Sequence, residues 1–338
     1  MLNLTTLNRY DPQGMHKIYD RWPEIAKEAY ASKQDPVDFN NIEHIVFVGM
    51  GGSGALADIF SSILSKTKVH VDIVKGYHLP STVDSNSLVV ASSISGNTVE
   101  TLSVLDSAYK SRCNIIAFSG GGKMKEYCVR NKIEHRIIPQ IHSPRASFTG
   151  FLYVILKILS PIIQVKKEDV LDSIKELEKL RNQISSQSLN KKNPSLSLAE
   201  WVSGMPMIYY PFGLQAAAIR FKNSLQENTK IHAMAEDVLE ASHNGIVAWE
   251  KKSIVQPILL EGEDDYIKTK ERWKILKEYF EMNQIDYQEI FSVEGSILSK
   301  IINLIYLLDY STIYRAVLSG VDPSPIKSIE FIKNRLSF

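Results

Sequence analysis

Short apolar segments alternate with amphipathic ones along this chain, and that alternation restricts its fold more than any other feature. Segments 44–48, 69–74, 88–91, 114–118 and 135–138 are brief, rich in Val and Ile, and apolar on both faces. Strands of that kind are covered on both sides, the habit of parallel sheets in α/β folds. Helical patterns lie between them at 55–64, 98–110 and 123–131. After Trp201 a second alternation begins, with strands expected at 207–210, 246–249, 254–260 and 287–290 and helices at 215–225, 265–283 and 296–318. A chain of 338 residues has room for two cores. The reading is α/β, with two doubly wound domains and mainly parallel sheets. The expected organisation is an N-terminal helical segment (1–40), a first domain (41–160), a helical linker (161–197) and a second domain with a C-terminal tail (198–338).

Two stretches are apolar enough to raise the question of a membrane. The first, 148–165, is broken by Lys157, Ser160 and Pro161; the second, near the C-terminus, carries Asp309 and Arg315. Both read as helices buried in a core or a dimer interface. The N-terminus lacks the basic start and apolar run of a signal peptide. The net charge of +1 offers no basic excess for nucleic acid. Cys113 and Cys128 have no metal-ligand spacing, and two thiols in a chain of this length fit a reducing cytoplasm. A disulfide between them stays open.

The first strand runs straight into Gly-Met-Gly-Gly-Ser-Gly, residues 49–54. Gly49, Gly51 and Gly54 have the spacing of a dinucleotide fingerprint, and Asp72 in the next strand stands where an acid would meet a ribose. Such a turn supports any phosphate, because glycine lets the backbone approach closely and the helix start aims free N–H groups at an anion. Asp72 equally fits a polar face of its strand. The third strand decides between these readings. Its loop, Ser93-Ile-Ser-Gly-Asn-Thr98, offers Ser93, Ser95 and Thr98, with Gly96 relieving the turn. Hydroxyls at a helix start suit one phosphate monoester, whereas helix capping alone would explain only one of them.

These two loops together resemble the sugar isomerase, or SIS, domain, which binds phosphosugars. The segments RFKNSLQENTK, EASHNGIVAWE and GVDPSP, with a lysine near the C-terminus, are similar to the bifunctional phosphoglucose/phosphomannose isomerases of archaeal type. The resemblance spans nearly the whole chain. It implies two SIS-type domains and an aldose–ketose isomerisation of glucose 6-phosphate, fructose 6-phosphate and mannose 6-phosphate through a cis-enediolate. It also implies a homodimer whose active site is shared. Gly51, Gly52, Ser53, Ser93, Ser95 and Thr98 match the family's phosphate loops.

By the same resemblance Glu227, in the Glu-Asn-x-Lys element, is the base that moves the proton between C1 and C2. A carboxylate beside an apolar ligand can be tuned toward that task. His243 would open the sugar ring from the partner subunit, with His232 the weaker competitor, and histidine titrates in the range that task needs. Arg145, from a loop at the strand ends, would stabilise the enediolate. The C-terminal lysine is read as Lys333, with Lys327 close enough to be confused with it. His16, His44, His70, His78, His135 and His142 read as structural or solvent-facing. No cluster has convincing metal spacing, and the cupin-like pattern of metal-dependent phosphomannose isomerases is absent. The expectation is metal-independent proton transfer with no cofactor, in the cytoplasm, with a phosphosugar as partner and neither nucleic acid nor membrane. The competing readings are a non-catalytic phosphosugar-binding regulator, an amino-sugar phosphate isomerase and a dehydrogenase.

Overall fold

The computed structural model describes residues 2–336. The chain divides into two compact units, one formed by residues 21–167 with 326–338 and the other by 1–20 with 168–325. Two short helices open the chain, α1 (Leu4–Tyr10) and α2 (Met15–Asp20), and belong to the second of these units. Asn3 caps α1 by accepting from Thr6 N. Asp11 plays a similar part for α2, accepting the N–H groups of Met15 and His16 at 3.0 and 2.7 Å.

The first unit begins with α3 (Trp22–Tyr30), which carries Pro23 in its first turn, where the missing N–H costs nothing. A five-stranded sheet follows: β1 (His44–Val48), β2 (His70–Val74), β3 (Ser87–Ser93), β4 (Asn114–Ser119) and β5 (Glu134–Ile137). The connecting helices are α4 (Gly52–Leu64), α5 (Val99–Ser111), α6 (Gly122–Asn131) and α7 (Phe148–Ile158). The strand order is β2-β1-β3-β4-β5 and every pairing is parallel. β1 and β3 are buried along their full length, as their two-sided apolar sequence requires. One face packs Val46, Val48, Val89 and Ala91 against Leu102, Leu105 and Met124. The order reverses between β1 and β3, and the crevice outside strand ends at such a point is where doubly wound folds bind ligands. Both loops singled out in the sequence leave from these two strands.

The second unit continues with α8 (Lys167–Ile184) and α9 (Pro194–Trp201). Its sheet is β6 (Met205–Tyr210), β7 (Met234–Asp237), β8 (Val255–Glu261) and β9 (Gln288–Phe291), in the order β7-β6-β8-β9 and again all parallel. The helices around it are α10 (Gln215–Ser224), α11 (Val238–Ala241), α12 (Ile267–Met282) and α13 (Ile297–Leu318). α14 (Lys327–Lys333) returns to the first unit. By length and composition α13 would pass for a membrane span, yet 89% of its apolar window is buried inside the protein. Tyr306, Tyr310 and Tyr314 stack along it, with Tyr310 donating to Asp20 at 2.6 Å and Tyr314 to the Ile184 carbonyl at 2.6 Å.

One expected strand is absent. Residues 246–249 lie in a 3-10 helix, Gly245–Glu250, nucleated by the Asn244 side chain accepting from Gly245 N. The edge position belongs instead to Met-Ala-Glu-Asp of β7, whose residue types favour a helix. Pairing with β6 overrides that preference. The apolar stretch from 148 ends its helix at Ile158, before Ser160 and Pro161. The polar stretch before residue 198 contains the start of α9, capped by Asn193 with Pro194 in its first turn. The tail beyond Val321 contains α14.

Candidate active site

In the first unit, three loops meet at the C-terminal edge of the sheet. Gly51, at φ +54°, makes the turn from β1 into α4. That backbone region is easy only for glycine. Ser53 is buried in the first turn of α4, and its Oγ accepts the main-chain N–H of Ile94 at 3.2 Å. The first loop is thereby tied to the second. Ser93, 1% exposed at the end of β3, shares a hydrogen bond of 2.9 Å with Thr98 Oγ1. Thr98 is the N-cap of α5, yet its hydroxyl makes no cap bond to the helix. Ser95 Oγ accepts Asn97 N at 3.3 Å, and only this hydroxyl acts as a local turn cap. Ser53 and Thr98 thus stand at two helix starts, with Ser93 behind Thr98 at the end of β3, and the dipole at a helix start favours an anion.

The third loop has only a weak signature in the sequence. Ser119-Gly-Gly-Gly-Lys123 joins β4 to α6 and packs on the second loop. Gly120 N donates to Ile94 O at 3.0 Å, Met124 N to Gly96 O at 2.9 Å, and Lys123 N to Asn97 Oδ1 at 3.1 Å. Gly96 has φ +71°, and a Cβ there would lie 1.9 Å from the Gly121 carbonyl oxygen. The readable signal was a glycine run directly after a strand, the same pattern that marks the first loop.

Arg145 sits in the segment between β5 and α7, only 4% exposed. Ser147 Oγ braces that segment by accepting Ile141 N at 2.8 Å, and Trp22 Nε1 donates to the Ala146 carbonyl at 3.1 Å. A Cβ on Gly52 would stand 3.6 Å from the Pro144 carbonyl oxygen, so this segment borders the first loop. Lys333 lies in the last turn of α14, exposed, and Lys327 opens the same helix, also exposed.

Glu227 and His243 belong to the second unit. Glu227 is half-buried in a π-helical turn, Leu225–Thr229, that continues α10. Such turns insert one residue per turn and commonly mark functional positions. Each neighbour of Glu227 is anchored. Asn228 Nδ2 donates to Thr312 Oγ1 at 2.7 Å, and Thr229 Oγ1 donates to the Leu225 carbonyl. Lys230, at φ +63°, donates from Nζ to the carbonyls of Glu227, Pro323 and Pro325. Below the turn Arg220 and Asp309 form a buried pair at 2.7 and 3.0 Å, joined by Ser224 and Tyr19. Burial opposes the Arg220 charge, but Asp309, with smaller help from Tyr19 and Glu227, more than offsets this and raises its pKa. His243 follows α11 and is exposed, with its N–H on the Glu240 carbonyl at 2.9 Å.

Residues 191–336 match the family model for the bacterial phospho-glucose isomerase C-terminal SIS domain. The chain is 32% identical over 340 residues to a bifunctional phosphoglucose/phosphomannose isomerase of Caldicellulosiruptor bescii, with 96% of each chain covered. The chain belongs to the bifunctional phosphoglucose/phosphomannose isomerase family. A member from Thermoplasma acidophilum is 30% identical, covering 87% of this chain and 90% of that one. Among solved structures, the C-terminal domain of glucosamine-fructose-6-phosphate aminotransferase from Francisella tularensis superposes with a TM-score of 0.69 at 16% identity, covering 91% of this chain and 96% of that one. At that identity the likeness speaks for the two-sheet α/β fold. Membership in the isomerase family rests on the sequence relatives.

Proposed function

We propose that this chain interconverts glucose 6-phosphate and fructose 6-phosphate, and mannose 6-phosphate with them, as a cytoplasmic homodimer. The observation that carries the proposal is the cradle at the β1/β3 switch point. There the Ser53 hydroxyl ties the first loop to the second and Ser93 pairs with Thr98, in a chain whose relatives over nearly its full length bear this activity in their names. In this reading the phosphate is held by Gly51, Gly52, Ser53, Ser93, Ser95 and Thr98. Binding energy from that remote group positions the reacting carbons.

Glu227 takes the proton from C2 of the open-chain aldose and returns it to C1, and the electron pair left behind forms the enediolate. The anchored π turn suits this task, since proton transfer demands a fixed carboxylate. Arg145 supplies positive charge as the enediolate forms. His243, exposed on its own chain, opens the ring in the partner's site, and Lys333 assists at the ring oxygen. Because the enediolate is planar at C2, one base serves both aldose epimers once the C2–C3 bond rotates. The non-catalytic regulator reading has no use for a braced carboxylate and is not favoured.

The test is Glu227→Gln. Phosphosugar binding should persist while exchange of the C2 proton with solvent falls by several orders of magnitude. Exchange at the wild-type rate would remove Glu227 from the mechanism. Assays with each aldose phosphate in the presence of a chelator test substrate range and metal independence together.

A further inference from the structure

At the opposite end of the first sheet, β1 and β2 both begin with histidine, and the parallel register sets His44 beside His70. Asp72, two residues along β2, shares their face because side chains alternate along a strand. His44 Nε2 lies 3.0 Å from Asp72 Oδ2, and His70 Nε2 lies 3.6 Å from the same oxygen. One donor atom from each of the three residues falls within 4.8 Å of the others. The strands carry this cluster roughly 13 Å from the phosphate loops, at about 3.3 Å per residue of β1.

The hydrogen bonds behind His44 determine which of its nitrogens is available. Ser87 Oγ donates its single proton to Asp84 Oδ1 at 2.9 Å and accepts the Asp84 N–H at 2.9 Å. The Asp84 carboxyl is held below its ordinary range, chiefly by that Ser87 bond, so it takes the proton as a carboxylate. His44 Nδ1, 3.2 Å from the same Oγ, therefore donates to it. That leaves Nε2 as the ring nitrogen turned toward the Asp72 carboxylate oxygen. An outer partner that fixes the tautomer of a ligating histidine is a regular feature of metal sites. The side chain of His44 is 9% exposed, while that of His70 is 65% exposed and its ring centroid lies 4.8 Å from that of His44.

We propose that His44, His70 and Asp72 bind a divalent first-row cation of the zinc class, with water completing its coordination. Two imidazoles and one carboxylate suit such ions. Tetrahedral bonds of about 2.0–2.2 Å need donor atoms roughly 3.4 Å apart, which the two histidine–carboxylate distances of 3.0 and 3.6 Å approach, with all three donors within 4.8 Å. The ion clips the edge strand β2 to β1 and acts on stability, and no chemical step of the isomerisation passes through it.

The test uses the full chain, freed of metal by chelator and then titrated with Zn2+ in a calorimeter and with Co2+ by visible absorption. One ion should bind per chain, and Zn2+ should raise the melting temperature. His70→Ala and Asp72→Asn, both at the surface, should each weaken binding at least about tenfold and abolish the thermal shift. His78→Ala, an exposed histidine beyond the end of β2, should bind as the wild type does. Absence of saturable one-to-one binding in the wild type, or unchanged affinity in both His70→Ala and Asp72→Asn, would overturn the proposal.

Discussion

Lys230 Nζ reaches the main-chain carbonyl of Pro325 at 2.8 Å, across a long separation in sequence. The same ammonium holds the Glu227 carbonyl, so one side chain ties the π turn to the Gly-Val-Asp-Pro-Ser-Pro segment. Lys230 itself is in the left-handed region, an uncommon conformation for a side-chain-bearing residue that such contacts must hold in place. Lys230→Met should lower kcat by about ten- to a hundredfold with little change in phosphosugar affinity, because small displacements of a reacting group carry costs of that order. Steady-state kinetics beside direct binding would show it. A change confined to KM would assign Lys230 to binding instead.

Gly96→Ala should disable phosphosugar binding. The added Cβ meets the Gly121 carbonyl oxygen at 1.9 Å, and the φ of +71° is strained for alanine in any case. The second and third loops must separate, and the cradle goes with them. Ser53→Ala is the milder version. It leaves the Ile94 N–H without its acceptor, at a cost of about 1–3 kcal/mol, and should raise KM more than it lowers kcat. Calorimetric titration with a phosphosugar, together with thermal melts, separates the two effects.

Asp309→Asn should destabilise the second unit by about 3–5 kcal/mol, the range for leaving one member of a buried ion pair uncompensated. Asp309 receives Arg220, Ser224 and Tyr19 and is fully buried. Denaturant unfolding measures the loss. The substitution also removes the support beneath Glu227, so activity should fall even where the chain remains folded.

Glu261 predicts a pH dependence. Burial, only partly offset by Lys277, raises its pKa to about 7, since Lys277 also serves Glu289 at 2.8 Å. A carboxyl whose folded pKa exceeds its unfolded one binds more protons when folded, so its contribution to stability falls as pH rises between about 4.5 and 7. The penalty is complete above that window and absent below it. Glu261→Gln should therefore flatten the melting temperature across this range and raise it at neutral pH. A variant that melts lower than the wild type at pH 8 would contradict the assignment.

Mixing Glu227→Gln with His243→Ala tests the shared site. Each variant alone should be inactive. If His243 serves the partner's site, a mixed dimer contains one site with both groups intact, and activity should return after subunit exchange. No recovery with exchange verified would place both groups in a site built from one chain.

Much of the first unit was legible because its strands are short, two-sidedly apolar and bounded by glycine and hydroxyl residues. β1 and β4 show this directly. The second unit was less so. Met-Ala-Glu-Asp of β7 carries no strand signal of its own, while Ile-Val-Ala-Trp carries one that the Asn244 cap defeats. The Ser119–Lys123 loop carries only a glycine run, which implies a close approach without naming what approaches. Only the fold shows that it is the Gly96 turn.

From its sequence alone, this chain is a two-domain parallel α/β protein with glycine- and hydroxyl-rich turns after its first and third strands, and its motifs carry the family resemblance. Those properties are local: periodicity, glycine at turns and hydroxyls at helix starts act within a few residues. The strand order with its switch point, the Ser53–Ile94 tie and the bracing of Glu227 by Lys230 and the Arg220–Asp309 pair were decided by tertiary structure. So was the meeting of His44, His70 and Asp72. Each depends on which distant segments a parallel register or a buried charge brings together, and spacing along a chain does not encode that distance.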